Sequence, residues 1–217
     1  MNDNGYFITG TDTGIGKTVV STALAIGLDA HYWKPIQTGS NEGTDSNFVG
    51  KWLGKQRVLP ESYVFPEPLS PHLAAKVTGA EIDHRRCLDY SFTLPRRTII
   101  EGAGGVLVPI NSTFMMIDLI KALERSVIIV ASTKLGTINH TLLTLEALKA
   151  RQIPVAGVVT VGKENSSIRE GIELYGGTRG LGHVPQCSTF SLSWFQEAYR
   201  NITIENTIST RKLCTTT

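Results

Sequence analysis

The residues with the clearest chemical potential lie near the N-terminus, in the segment Ile-Thr-Gly-Thr-Asp-Thr-Gly-Ile-Gly-Lys-Thr at positions 8–18. Glycines in such a segment let several backbone N–H groups converge on one anion. Lys17 can place its ammonium on the β- and γ-phosphates of a nucleotide, and the Thr18 hydroxyl can ligate Mg²⁺. An apolar strand is predicted before the segment. The helix predicted over residues 19–28 has an N-terminal dipole that favours phosphate. The segment therefore predicts binding of a nucleoside triphosphate.

The spacing of this loop differs from the usual pattern by one residue. Five residues separate Gly10 from Gly16 where the strict pattern has four, so Thr11 stands where a glycine is expected. A glycine-rich turn with an incidental lysine is the alternative interpretation. The strand before the loop, the helix after it and the intact Gly16-Lys17-Thr18 favour the phosphate loop.

Lys34 and Asp45 are two further candidates for the same site. Lys34 follows an apolar triplet, which predicts that it lies at the C-terminal end of a strand, where open parallel sheets bind ligands. A solvated surface lysine is an equally good interpretation of this stretch alone. Asp45 precedes a helical pattern over residues 46–53, so it could cap that helix or ligate magnesium. Spacing does not decide between the two roles.

A carboxylate also ends the apolar strand predicted before residue 101. Glu101 is followed by Gly102, Ala103 and Gly104. This layout is typical of an acid that faces a metal beside a phosphate loop, with small residues that allow the nucleotide to approach the backbone. A turn with an incidental glutamate is the alternative.

A second anion site is predicted further along the chain. A buried strand over residues 126–131 leads into a turn, and a helix is predicted over residues 139–151. Gly136, Thr137 and Ile138 would lie at the N-terminus of that helix, where backbone N–H groups are free to hold an anion such as a carboxylate.

The alternation of strands and helices along the chain predicts the fold class. We expect an α/β fold, a doubly wound and mainly parallel sheet with helices on both faces, with the site at its carboxyl edge. The prolines within residues 58–71 predict a meandering loop there rather than a helix. We expect one domain over residues 1–208 and a poorly ordered tail over residues 209–217.

Composition narrows the class of protein. The 217 residues are 41% hydrophobic and 18% charged, as in ordinary soluble globular proteins, and the net charge of +2 gives no reason to expect nucleic acid or a membrane surface as partner. The three cysteines lack metal-ligand spacing and fit a reducing compartment. The polar N-terminus predicts no signal peptide, and no apolar run approaches membrane-spanning length. We therefore expect a cytoplasmic protein.

The order of the motifs resembles that of the dethiobiotin synthetase family. The motifs that carry the resemblance run over residues 6–185; they are the phosphate loop with its extra residue, Lys34-Pro35-x-x-Thr38-Gly39-Ser40, Pro68-x-Ser70-Pro71-His72, Glu101-Gly102-Ala103-Gly104-Gly105 and Lys134-Leu135-Gly136-x-Ile138-Asn139-His140. The resemblance implies a P-loop NTPase-like fold and a ligase of biotin biosynthesis, acting as a homodimer with its site at the interface.

The reaction that the resemblance implies is an ATP-dependent ring closure. One amine of 7,8-diaminononanoate forms a carbamate with CO₂ or bicarbonate, and a carbamate oxygen attacks the γ-phosphate of ATP. The second amine then closes on the carbonyl of the carbamic–phosphoric anhydride, which leaves dethiobiotin, ADP and phosphate.

The resemblance also assigns roles to residues. Lys34 and Lys17 would flank the transferring phosphoryl group as catalytic residues, and Thr18, Asp45 and Glu101 would hold Mg²⁺. The nucleotide would contact Thr13, Gly14, Ile15, Gly16, Lys17, Thr18, Val19, Asp45, Glu101, Gly102, Ala103, Gly104 and Pro185. The substrate would contact Thr11, Thr38, Gly136, Thr137, Ile138, Asn139 and Tyr175. The segment from Gly136 would act from the neighbouring subunit, and the local spacing around Tyr175 differs from the family's.

The chain departs from the family's pattern at the end that binds the nucleotide base. Val161 stands where the family usually has an asparagine that contacts the adenine edge, and His183 stands where it has a glutamate. Valine cannot make the paired hydrogen bonds of an amide. The sequence therefore leaves open whether other nucleoside triphosphates serve as co-substrates beside ATP.

Two other P-loop ATPases are alternatives. A cobyrinate amidotransferase-type synthetase would also carry a glutaminase domain, for which this chain is too short. A partition or septum-site nucleotide switch usually has a further lysine near the start of its phosphate loop, where this chain has Thr9-Gly10-Thr11-Asp12. Such a switch also often ends in a basic or amphipathic helix, which this sequence lacks.

Overall fold

The structure is a computed structural model that describes residues 5–204, and the tail expected over residues 209–217 lies outside them. Its strands and helices alternate along most of the chain. The strands are β1 (Tyr6–Gly10), β2 (His31–Trp33), β3 (Ile36–Gln37), β4 (Val58–Leu59), β5 (Tyr63–Val64), β6 (Thr98–Glu101), β7 (Ser126–Ser132), β8 (Val155–Gly162) and β9 (Gly180–Pro185). The helices are α1 (Lys17–Gly27), α2 (Asp45–Leu53), α3 (Pro71–Val77), α4 (His84–Ser91), α5 (Met116–Leu123), α6 (Thr137–Ala150), α7 (Ser166–Gly176) and α8 (Leu192–Arg200).

Seven strands form one sheet in the order β4-β2-β6-β1-β7-β8-β9, and their pairings are parallel. The strand β1 lies in the middle, where Phe7 pairs with Ile100 on one side and with Val127 on the other. The sheet therefore extends in both directions from β1. In sheets of this kind the point where the strand order reverses leaves a crevice at the carboxyl ends of the strands. The expected doubly wound parallel sheet is confirmed.

Side chains that alternate between the two faces of the sheet divide the apolar core into two layers. On β1, Phe7 joins one apolar cluster, which includes Ile117 and Ile120 of α5, whereas Ile8 joins the other. The second cluster contains Leu24 of α1 and Phe195 of α8. Successive side chains on a strand point to opposite faces, so each buried strand supplies both layers. Helices consequently cover both faces of the sheet.

The proline-containing stretch over residues 58–71 holds more regular structure than expected. It contains β4, which pairs with β2, and β5, which pairs with β3 in a separate two-stranded sheet. Two-residue strands are too short to show a period-two pattern in the sequence. The prediction that this stretch is not an α-helix is confirmed, but the prediction of a plain loop is incomplete.

Two further observations concern membrane-spanning helices and the buried Cys87. Within residues 5–204, no helix is both long and apolar enough to cross a bilayer. Cys87 is buried, and burial raises the pKa of its thiol to about 11, so this thiol stays protonated at neutral pH and packs as a small apolar group.

Candidate functional site

The phosphate loop joins β1 to α1 and curls tightly. Gly14 and Gly16 have φ angles of 65° and 100°, in the left-handed region that side chains rarely adopt. A Cβ atom on Gly10 would lie 2.7 Å from Ile15 Cδ1, so a larger residue there would displace the Ile15 side chain. No side chain caps the first turn of α1. The loop therefore presents a helix N-terminus that suits an anion.

Lys17 is folded back over this loop. Its side chain is largely buried, and Nζ donates a hydrogen bond to the backbone carbonyl of Asp12 at 2.7 Å. Burial lowers the pKa of Lys17, although the nearby charge of Glu101 acts in the opposite direction. A phosphate bound in the loop would supply the counter-charge that favours the ammonium form.

Four polar side chains from separate elements meet beside the loop. Thr18 Oγ1 lies 2.9 Å from Asp45 Oδ1 and 2.9 Å from Glu101 Oε1. Lys34 Nζ donates to Glu101 Oε1 at 3.1 Å and also to Asp45 Oδ2. We call Thr18, Lys34, Asp45 and Glu101 the acid–lysine cluster. It brings together every residue that the sequence predicts for the metal and one of the two predicted catalytic lysines.

The fold explains this convergence. Lys34 directly follows β2 and Glu101 ends β6, and these two strands are neighbours in the sheet. Both side chains therefore emerge at the same carboxyl edge. The predicted place of Lys34 at a strand end is confirmed; its side chain is buried rather than solvated.

Asp45 reaches the cluster because another residue caps its helix. Thr44 is the N-cap of α2, and its hydroxyl accepts a hydrogen bond from Asn47 N at 3.0 Å. Asp45 is the first helical residue, and its backbone N–H donates to Gln37 Oε1 at 2.9 Å. Of the two roles that the sequence left open for Asp45, the structure excludes the N-cap, which leaves the carboxylate free to face Thr18 and Lys34.

Charge pairing controls the protonation of Lys34 in this cluster. Burial alone would lower the pKa of Lys34, but the charges of Glu101 and Asp45 outweigh it, so the pKa is raised. Lys34 therefore remains an ammonium throughout the neutral range. Tyr32 is fully buried, and its hydroxyl donates to Glu101 Oε2 at 3.0 Å. Burial, followed by the charge of Glu101, raises the pKa of Tyr32 well above its usual value.

The sequence interpretation missed Tyr32. It lies two residues before Lys34, and alternate residues of an extended chain point to the same side. That spacing is the signal that could have identified it. Tyr32 donates to Oε2 of the Glu101 carboxylate, while Thr18 and Lys34 contact Oε1.

The donors of the acid–lysine cluster fit a magnesium ion. One hydroxyl and two carboxylates supply only oxygen atoms, which Mg²⁺ prefers. Within residues 5–204, no group of three His, Cys, Asp or Glu side chains is placed to hold a metal without further ligands. Magnesium is usually bound by one or two carboxylates together with substrate phosphates, so two carboxylates beside a phosphate loop form a suitable partial site.

A cavity of about 590 Å³ joins the phosphate loop to the cluster. Residues predicted for the site that line it are Thr13, Gly14, Gly16, Lys17, Thr18, Val19, Lys34, Thr38, Asp45, Glu101, Ala103 and Gly104. Its wall also contains residues that the sequence interpretation did not identify, among them Gln37, Phe48, Lys51 and Phe190. This volume is within the range of small-molecule sites.

Comparison with known proteins identifies the family. A family model described as an AAA domain matches residues 4–191. The ATP-dependent dethiobiotin synthetase of Paramagnetospirillum magneticum is 47% identical over 184 residues, which cover 83% of this chain and 87% of that protein. The one from Agrobacterium fabrum is 44% identical over 196 residues, covering 89% and 92%. The chain belongs to the dethiobiotin synthetase family.

A solved structure extends the comparison to the fold. A ParA family ATPase from Chlorobium tepidum matches with a TM-score of 0.53 and 18% identity, covering 91% of this chain and 89% of that one. At that identity the likeness concerns the fold alone. The P-loop NTPase-like fold expected for a dethiobiotin synthetase is confirmed, and the curated relatives do not favour a partition-type switch.

Two residues predicted for the nucleotide site have structural roles in this chain. The side chain of Ile15 packs against the apolar cluster that contains Ile8 rather than lining the cavity. At Gly102 an added Cβ would lie 2.9 Å from Phe7 Cε1, so glycine permits close packing against β1. The backbone N–H of Gly102 is also used, since it donates to the carbonyl of Ile8 at 2.9 Å.

The predicted substrate residues of this chain are not all in one place. Thr11 lines a second cavity of about 450 Å³, next to the loop, together with His140 and Leu143 of α6. Gly136, with φ of 92°, is the N-cap of α6, whose first residues are Thr137, Ile138 and Asn139. Pro185, which is predicted for the nucleotide rather than the substrate, lines a third cavity with Gly162 and His183, at the ends of β8 and β9.

Tyr175 is separated from the other predicted residues. It is exposed near the end of α7 and lines a cavity with Val155 and Arg179, which lie at the amino ends of β8 and β9. The acid–lysine cluster lies at the opposite, carboxyl edge of the sheet. Within one chain the structure does not bring Tyr175 to the site.

Proposed function

We propose that this chain closes the ureido ring of dethiobiotin from 7,8-diaminononanoate, CO₂ or bicarbonate, and a nucleoside triphosphate. The observation that carries the proposal is the convergence of Lys34, Asp45 and Glu101 on Thr18 of the phosphate loop. That arrangement suits phosphoryl transfer, which depends on positioning and charge neutralisation. Family membership supports the choice of a carbamate as the acceptor.

The chain's own residues account for the charges in this reaction. When a carbamate oxygen attacks the γ-phosphorus, the bond to the β-phosphate oxygen breaks and negative charge spreads over the phosphoryl oxygens. Lys17 and Lys34 are the two buried cations of the cavity and would stabilise that charge. The second amine then attacks the anhydride carbonyl, and phosphate leaves with the bonding electrons.

Thr18, Asp45 and Glu101 would hold Mg²⁺, which supplies positive charge to the phosphates when bound. Lys34 contacts the two carboxylates among these ligands. A metal ion would take over the neutralisation of those carboxylates, which leaves the Lys34 ammonium available to the transferring group. The nucleotide and substrate residues named for the family remain proposals of the same kind, including Thr11, Thr38, Pro185 and Tyr175.

We also propose a homodimer in which the partner subunit completes the diamine site. Leu107, Leu135 and Leu143 are exposed apolar residues, and two of them line the cavity that contains Thr11. The Thr137 hydroxyl at the start of α6 is buried and has no hydrogen-bond partner within residues 5–204. That orphan donor supports a carboxylate at this helix N-terminus. Water-soluble substrates and a net charge of +2 support a cytoplasmic enzyme without nucleic acid or membrane partners.

Incubation with the diamine, bicarbonate, Mg²⁺ and ATP should yield dethiobiotin and phosphate in equal amounts, because each ring closure consumes one anhydride. Dethiobiotin is measured by mass spectrometry and phosphate by a colorimetric assay. Omission of the diamine should abolish phosphate release. Phosphate release that is independent of the diamine, without dethiobiotin, would contradict the proposed activity.

Lys34→Ala should lower kcat by about 10²- to 10³-fold, since it removes a cation from the developing charge. The affinity for Mg²⁺-ADP should remain close to that of the unchanged protein, because the phosphate loop and Lys17 are intact. The measurements are turnover of the diamine and calorimetric titration with ADP. Lys121→Ala, at an exposed position on α5, is the matched control and should leave both values unchanged. Near-normal turnover of Lys34→Ala would refute the role of Lys34.

The molar mass in solution, measured by light scattering, should be twice that of the 23.6 kDa chain. Leu143→Asp places a charge on the proposed apolar interface, which should shift the protein to monomers and raise the KM for the diamine. A monomeric wild-type protein with full activity would overturn the dimer proposal.

A further inference from the structure

The carboxylate of Glu101 is held through both of its oxygen atoms, but in two different surroundings. Thr18 Oγ1 and Lys34 Nζ contact Oε1, at 2.9 and 3.1 Å, and both of these residues line the cavity that contains the phosphate loop. The Tyr32 hydroxyl donates to Oε2 at 3.0 Å, and Tyr32 is fully buried and does not line that cavity. Glu101 therefore presents one oxygen to the cavity and the other to a buried hydroxyl.

The pairing of β2 with β6 explains why Tyr32 reaches this carboxylate. Tyr32 pairs with Ile99 of β6, and Glu101 lies two residues after Ile99 on the same strand. Residues that pair across neighbouring strands share a face of the sheet, and so do residues two positions apart on one strand. The side chains of Tyr32 and Glu101 therefore lie on one face. A buried phenol needs a hydrogen-bond partner, and the register of the sheet supplies Glu101.

The hydrogen bond from Tyr32 differs from the other two in its relation to the proposed magnesium site. Thr18 and Lys34 occupy Oε1, which faces the cavity, so a metal ion bound by Glu101 there would replace their hydrogen bonds. The hydrogen bond to Oε2 would not compete with the metal ion. Hydrogen bonds to metal ligands from outside the ligand shell fix the orientation of those ligands, and their loss commonly costs about 10- to 100-fold in metal affinity or activity.

The engaged second oxygen also bears on which ion fits. Ca²⁺ takes about six to eight oxygen ligands and binds carboxylates through one or both oxygens, whereas Mg²⁺ requires near-octahedral geometry and uses one or two carboxylates beside phosphates and water. Because Tyr32 holds Oε2, Glu101 has Oε1 for an ion in the cavity. The arrangement therefore suits the smaller ion.

We propose that Tyr32 is a positioning residue, whose hydroxyl holds Glu101 as a ligand through Oε1 alone and thereby strengthens the binding of Mg²⁺ over that of Ca²⁺. The inference rests on the proposed magnesium site of Thr18, Asp45 and Glu101, and it does not depend on the diamine. Tyr32 acts through Glu101 and touches neither the metal nor the substrate. Removal of the Tyr32 hydroxyl should therefore matter only while the Glu101 carboxylate is present.

Calorimetric titration with ADP in EDTA, in Mg²⁺ and in Ca²⁺, without the diamine, separates metal binding from nucleotide binding and from turnover. In Tyr32→Phe the affinity for ADP in EDTA should stay unchanged, because the phosphate loop is intact. The gain in ADP affinity that Mg²⁺ provides should fall by about tenfold, and the gain that Ca²⁺ provides should fall less, so the preference for Mg²⁺ narrows. With the diamine present, the Mg²⁺ concentration for half-maximal turnover should rise by a similar factor.

Two further variants separate positioning from a merely structural role. Tyr90→Phe is the matched control, since it removes a tyrosine hydroxyl from a ring that packs 5.4 Å from Trp33 and does not line the cavity. It should change none of the measured values. Glu101→Gln should abolish most of the metal effect, and Tyr32→Phe added to Glu101→Gln should lower it no further. A further loss in the double variant would contradict an action through Glu101.

The possible results distinguish the role of Tyr32 from the proposals on which it rests. A full Mg²⁺ effect and an unchanged ion preference in folded Tyr32→Phe, with the effect lost in Glu101→Gln, would overturn the role of Tyr32 alone. Absence of any metal effect in the unchanged protein would overturn both the magnesium site and this inference. Failure to form dethiobiotin would overturn ring closure and leave the binding results to decide the role of Tyr32.

If Tyr32→Phe does not fold, a crystal structure of the unchanged protein with Mg²⁺ and ADP decides. The expected result is a metal ion bound to Glu101 through Oε1, with the Tyr32 hydroxyl still hydrogen-bonded to Oε2. A metal ion bound through both oxygens of Glu101, or a Tyr32 hydroxyl that has left Oε2, would overturn the inference.

Discussion

The structure of the site depends on the buried ion pairs of Lys34 with Asp45 and Glu101. Glu101 is 1% exposed, and a carboxylate in that environment is costly unless it is paired and hydrogen-bonded. Lys34, Thr18 and the hydroxyl of Tyr32 satisfy it from three directions. Tyr32 and Lys34 lie in and directly after β2, Thr18 lies on α1 and Glu101 ends β6, so these contacts join three elements at the site.

The order of the strands places the charged side chains of the site on one side of the phosphate loop. The central β1 carries the phosphate loop, with the charged side chains of β2 and β6 on one side. On the other side, the ends of β8 and β9 line a separate cavity, whose wall includes Lys163, Glu164, His183 and Gln186. The charged side chains that suit phosphoryl transfer therefore lie on the β2 and β6 side of the phosphate loop.

Local patterns allowed much of this to be predicted from the sequence. Lys17, Thr18 and Glu101 are recognisable because a strand end, a glycine and a polar residue are adjacent in the chain. Asp45 was ambiguous because an N-cap and a metal ligand occupy the same kind of position; the cap turned out to be Thr44, one residue earlier. The strands β4 and β5 were missed because two residues cannot show a period.

The remaining features depend on contacts between distant segments. Phe48 and Phe190 are far apart in the sequence, and each would pass for an ordinary core residue until the fold places both in one cavity. Tyr32 could have been predicted from the sequence, since its side chain and that of Lys34, two residues later, lie on the same side of the extended chain. Tyr175, whose local spacing differs from the family's, lies within one chain at the other edge of the sheet from the cluster, and its contact with the substrate stays a prediction.

The most direct test of the account is a crystal structure of the protein with Mg²⁺, ADP, a phosphoryl mimic such as aluminium fluoride, and the diamine. The account predicts a metal ion ligated by Thr18 and by the carboxylates of Asp45 and Glu101, with Lys34 Nζ in contact with the phosphoryl mimic. A metal bound elsewhere, or Lys34 still bridging the two carboxylates beside a fully occupied site, would contradict it.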